Sequence, residues 1–109
     1  MFNVVQTPKF TRTVTVHVPH GDGYQEQTFV GHFRAVPEDD YTDTTLGEVE
    51  KNKELLRAAW IGGDDFVGDA DAPVVWSEDL REALLSRADV RVALLQTYFS
   101  AVSTLRPGN

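Results

Sequence analysis

The stretch from Trp76 to Leu105, WSEDLREALLSRADVRVALLQTYFSAVSTL, constrains the chain most, because start signals, apolar spacing and stop signals agree there. Ser77 can cap a helix whose first turn carries Glu78 and Asp79, which places negative charge beside the unpaired N–H groups at the positive end of the helix dipole. Leu80, Ala83, Leu84 and Ala88 form one apolar face. After a short break at Ser86 to Ala88, Asp89 offers a second cap. From Val90 onward Leu94, Leu95, Tyr98, Phe99, Ala101, Val102 and Leu105 recur at helical intervals. Pro107 and Gly108 end the run. Two helices joined this tightly lie side by side or at a sharp angle, and their broad apolar surface needs a partner inside the chain or outside it.

The N-terminal third has a different period. Residues 1–11 lack one and contain Pro8, so they are expected to form an extended arm. From Arg12 the sequence alternates, with Val14, Val16 and Val18 on one face and Thr13, Thr15 and His17 on the other, as in a half-buried strand. Pro19 to Tyr24 supplies a turn, and Gln25 to Val36 reads as a returning strand with Phe29 and Phe33 on one face. Residues 12–36 are therefore a β-hairpin. Gly31 marks a bulge or a close approach of another backbone. A lone hairpin is marginal in water, so this one should pack on helices.

Pro37 closes the hairpin and an acidic link follows. Thr45 and Glu48 have capping-box spacing at the head of a helix predicted over Leu46–Trp60, with Leu46, Val49, Leu55, Leu56, Ala59 and Trp60 as its apolar stripe. Gly62 and Gly63 are expected to stop it. The Gly/Asp-rich segment 62–76 reads as a structured loop that tucks Phe66 and Trp76 into the core. The fold class is α+β: an N-terminal hairpin on a small bundle of three to four helices. The helical part is expected over 45–105, within a single domain over 1–109.

Charge and composition exclude several function classes. The net charge is -7 and the pI is near 4.7, with scattered Lys and Arg, which disfavours nucleic acid as a partner. No run of about 18 apolar residues could span a membrane, and MFNVVQTPKF lacks the features of an export signal, so a cytoplasmic location is expected. Without cysteine there are neither disulfides nor thiolate metal sites.

Candidate chemistry is thin. Gly62-Gly63-Asp64-Asp65-Phe66 comes close to the GGDEF signature of diguanylate cyclases, but it follows a helix and lacks the larger α/β domain of that family. Asp69 and Asp71 fit the first and third positions of a calcium loop, yet Val74 stands where glycine is needed and Leu80 where a bidentate Glu is needed. Asp64, Asp65, Asp69 and Asp71 read as a solvated acidic loop. His17, His20 and His32 could hold zinc if antiparallel pairing brought His17 near His32, though no acidic group is placed to assist. Solvent-facing strand histidines are the simpler reading. Neither a nucleophile elbow nor a phosphate loop is present. No catalytic residue, metal or cofactor is expected.

What stands out is the aromatic content of the helical part. Trp60, Phe66, Trp76, Tyr98 and Phe99, with Leu95 and Val102, are candidate self-association or partner-binding residues, and equally candidate core.

The order of these pieces resembles the tail assembly chaperones of long-tailed bacteriophages. The resemblance rests on the early hairpin TVTVHVP and TFVGHFRAV, the helix ending AAWIG, the loop, WSEDLREAL and the last helix ADVRVALLQTYFSAV, together about residues 10–103. It implies a non-enzymatic protein that forms homo-oligomers, coats the long, helical, partly apolar tape-measure protein and helps recruit tail-tube subunits. Such a protein works in the host cytoplasm and is absent from the mature virion. The family also implies a longer product made by ribosomal frameshifting. The rival expectation is a small acidic regulator or inhibitor, which presents Asp64–Asp71 and Glu38–Asp43 to a basic site on a host protein.

Overall fold

The computed structural model describes residues 1–37 and 47–103. Strand β1, Lys9–His20, and strand β2, Gly23–Arg34, form an antiparallel hairpin. Gly21 and Asp22 make its two-residue turn. Gly21 has φ +57°, the conformation a type II′ hairpin asks of its first central residue. The alternation reads through: Val14 and Val16 are buried on the same face as Phe29 and Phe33, with Val14 opposite Phe29. The arm is shorter than 1–11. β1 starts at Lys9 because the Phe10 ring stacks on Phe33 at 5.4 Å and the Ala35 N–H donates to the Pro8 carbonyl.

Helix α1 spans Glu48–Ala59, so the expected Leu46–Trp60 helix is trimmed at its C-terminal end. Gly47 occupies the N-cap position and provides no side-chain bond; Thr45 and Leu46, with the capping box, lie outside the described residues. Trp60 is not helical. It opens strand β3, Trp60–Asp64, which pairs antiparallel with β2 to give the sheet order β1-β2-β3. The Gly62-Gly63 pair is therefore strand and does not stop the helix.

A register shift explains how this strand serves the core. His32 pairs with Gly62 but Phe33 pairs with Trp60, so Ile61 is an extra residue. A one-residue slip flips side chains between faces, and here it turns Trp60 into the core and leaves Ile61 exposed. The two glycines facing each other, Gly31 and Gly63, leave room for rings. A Cβ on Gly31 would lie 2.7 Å from the Phe33 ring, and one on Gly63 2.7 Å from the Phe66 ring. The close approach foreseen at Gly31 is thus made by a side chain, and the bulge lies next to it.

The Gly/Asp-rich segment is a small flap. β4, Phe66–Val67, pairs with β5, Pro73–Val74, around a tight turn in which Ala70 and Asp71 both have positive φ. Helix α2, Glu78–Leu85, begins as expected, with the Ser77 Oγ accepting from the Leu80 N–H at 3.0 Å. Helix α3, Ala88–Val102, starts one residue before Asp89, so Asp89 is not its cap. The Asp89 carboxylate instead sits inside the first turn, accepting from the Val90 N–H at 2.9 Å and from Arg87 at 2.7 Å. Its charge still complements the helix dipole.

The architecture is α+β, with a three-stranded antiparallel sheet and, among the described residues, three α-helices. The core joins Val14, Phe29 and Phe33 of the sheet to Leu55, Leu56 and Ala59 of α1, Trp60, Leu85 of α2, and Val90, Leu94 and Tyr98 of α3. No polar or charged residue is buried among the described residues, apart from the tyrosine and tryptophan polar atoms. The Tyr98 hydroxyl accepts from the Val36 N–H at 2.9 Å, tying α3 to the chain leaving the sheet.

Candidate functional site

Helix α3 is apolar on two sides. Val90, Ala93, Leu94 and Tyr98 pack inward, and Val92, Leu95, Phe99 and Val102 form a second stripe at i, i+3, i+7 and i+10 on the outer side. In that stripe Val92 is 54% exposed and Phe99 and Val102 are each 42% exposed, while Leu95 is half-buried. The Phe99 ring is held edge-on to Tyr98 at 5.4 Å, so a core residue braces it.

The seven candidate contact residues divide accordingly. Trp60 and Tyr98 are 0% and 1% exposed and offer a partner no side-chain surface. Phe66, in the flap, and Trp76, just after it, are half-buried, Trp76 lying edge-on to Trp60 at 4.7 Å and Phe66 against Phe29 at 4.9 Å. Trp60 Nε1 is buried and has no hydrogen-bond partner among the described residues, so there the indole contributes through its rings. Leu95, Phe99 and Val102 share the outer stripe. Sequence reading missed Val92, although its spacing to Leu95 and Phe99 was visible. It also missed the exposed apolar residues Val67 and Val75 on the flap and Phe2, Val4 and Val5 in the arm.

The histidines do not converge. The register sets His17 opposite Glu26 and His32 opposite Thr11, which separates His17 from His32 along the hairpin. His17 stacks on Tyr24 at 4.5 Å, whereas His32 joins a chain across all three strands: Thr11 Oγ1 lies 3.1 Å from its Nδ1 and Asp64 Oδ2 lies 2.6 Å from its Nε2. Among the described residues no group of three His, Asp or Glu side chains is placed to hold a metal ion. Of the GGDDF residues, Gly62, Gly63 and Asp64 lie in β3, Asp65 turns with φ 68°, and Phe66 begins β4.

The chain matches no protein-family model, no curated protein and no solved structure. Among the described residues no helix is long and apolar enough to cross a membrane.

The helical layer is clamped by charge. Arg57 of α1 donates to both carboxylate oxygens of Glu82 on α2, Nε to Oε1 at 3.0 Å and Nε to Oε2 at 3.2 Å. The hydrogen bond from Arg57 holds the Glu82 carboxyl below its ordinary range against a smaller opposing effect of desolvation, and Arg87 does the same for Asp89. A depressed carboxyl pKa contributes stability above its unfolded value that is lost as pH falls through the folded one. Stability should therefore fall below about pH 4.5. Because the Arg57–Glu82 pair is partly exposed, its share is at most about 1 kcal/mol. Thermal unfolding of the wild type and Arg57→Met between neutral and acid pH checks this: the variant should be less stable at neutrality, and the gap should close in acid.

Proposed function

We infer that the chain is a non-enzymatic tail assembly chaperone of a long-tailed bacteriophage. It self-associates, holds the tape-measure protein in the host cytoplasm, aids the recruitment of tail-tube subunits and is left out of the mature virion. One observation carries this reading: α3 exposes Val92, Phe99 and Val102 beside half-buried Leu95 on its outer side while its inner side already fills the core. A stripe at i, i+3 and i+7 suits a long apolar helix as client, and many copies in a row turn individually weak contacts into firm retention. The net charge of -7 keeps a protein with such a surface in solution. Neither nucleic acid, membrane nor cofactor enters the role.

A second reading, an acidic regulator acting on a basic host site, is favoured by one observation. Asp65, Asp69 and Asp71 are exposed on the flap and have no ion pair among the described residues. The companion stretch Glu38–Asp43 lies outside the described residues. Salt separates the two readings. Binding to the tape-measure protein should survive ~1 M salt, where the Debye length falls to about 3 Å, with less than about a threefold change in Kd. A host-protein complex that dissolves under those conditions, together with no tape-measure binding, would select the regulator.

A further inference from the structure

Charge is distributed unevenly along the chain. From Met1 to Gly21 there is Lys9 and Arg12 but no Asp or Glu, and between Arg57 and Arg81 there is Asp64, Asp65, Asp69, Asp71, Glu78 and Asp79 but no Lys or Arg. Each segment also carries apolar side chains without a partner. In the arm, residues 1–8, Phe2 is 88% exposed and Val4 and Val5 are similarly bare. On the flap, Val75 is 84% exposed and lines, with Phe66, Val67, Val74 and Trp76, a cleft of about 400 Å³ that also includes Asp65, which has no ion pair among the described residues, and Asp64, whose carboxylate already meets His32.

We propose that the arm of one copy docks in the flap cleft of the next, Phe2, Val4 and Val5 entering the apolar cleft and Lys9 and Arg12 facing its carboxylates. This rests on the self-association in the functional reading and names its surfaces. The two are complementary in charge and in character, an extended basic segment against an acidic-rimmed apolar cleft. Among the described residues neither Lys9 nor Arg12 has an ion pair; Arg12 lies over the Phe10 ring at 5.2 Å and donates to the Thr11 carbonyl, which leaves its charge for carboxylates of a neighbour. Because donor and acceptor are different patches of the same chain, the contact is head-to-tail and builds a ring or an open helical array. One arm supplies roughly half of the ~800 Å² per partner of a stable interface, so each contact is weak alone and the array depends on every copy giving one arm and receiving another. This surface is separate from the outer stripe of α3, which stays open to the client.

Two variants test the pairing. One lacks residues 2–7 and keeps its cleft. The other carries Asp65→Asn, Val67→Lys and Val75→Lys, all at the cleft, and keeps its arm. All the altered residues are exposed, and unchanged thermal unfolding confirms folding. By sedimentation velocity at low salt, the wild type should associate as concentration rises, each variant alone should associate at least about tenfold more weakly, and an equimolar mixture should stop at a one-to-one dimer. If each variant alone associates like the wild type, or the mixture stays monomeric, arm docking is wrong while the chaperone reading stands. A wild type monomeric at every concentration would overturn both.

Discussion

Trp60→Ala is expected to lower folding stability by about 3–5 kcal/mol, a large part of the 5–15 kcal/mol that holds a domain of this size together. The indole is fully buried where α1 ends and β3 begins, against Phe29 at 5.7 Å and Trp76 at 4.7 Å. Its removal opens a cavity at the point where the bulged strand delivers its one large side chain to the core. Both the helix end and the sheet edge lose their shared anchor. Trp60→Phe should cost less than half as much, because it retains a ring and deletes an Nε1–H that has no acceptor among the described residues. Urea unfolding followed by circular dichroism gives both values. A Trp60→Ala cost under about 1 kcal/mol, typical of a surface site, would contradict the core placement.

Phe99→Glu combined with Val102→Glu should leave the fold within about 1 kcal/mol of the wild type, since both side chains are substantially exposed. Tape-measure binding should weaken by more than about a hundredfold, because burying two carboxylates against an apolar helix without a counter-charge costs several kcal/mol. Self-association should persist, as the stripe and the arm–cleft contact are different surfaces. Tyr98→Glu is not an equivalent probe. Tyr98 is 1% exposed, so a carboxylate there would break the core and the bond to the Val36 N–H, and any loss of binding would report unfolding.

Local signals carried the parts of the fold whose partners are near in sequence. The Ser77 cap, the α2–α3 pair and the Val14–Val16 alternation are set by neighbours a few residues away, and each was legible. Strand β3 was not. A glycine pair after a helix reads as a stop, and Gly62-Gly63 becomes strand only because Phe33 and Phe66 cover the glycine face and β2 supplies the ladder. That environment comes from residues some thirty positions earlier. The flap was hidden for a similar reason, since its turn places Ala70 and Asp71, neither of them glycine, at positive φ. In the candidate site, Leu95, Phe99 and Val102 were legible from helical spacing, but the same spacing could not separate them from buried Tyr98, because α3 is apolar on both sides. The Thr11–His32–Asp64 row required the register of two strand pairings, and charge alone pointed to the acidic loop without revealing the cleft beside it.

The most direct test of the chaperone reading is to co-express the chain with the tape-measure protein of the same phage and to measure the solubility and composition of what is recovered. The reading predicts a soluble complex that carries many copies of this chain per tape-measure molecule, holds in high salt, and fails to form with Phe99→Glu plus Val102→Glu. A tape-measure protein that is as insoluble with the chain as without it would contradict the account.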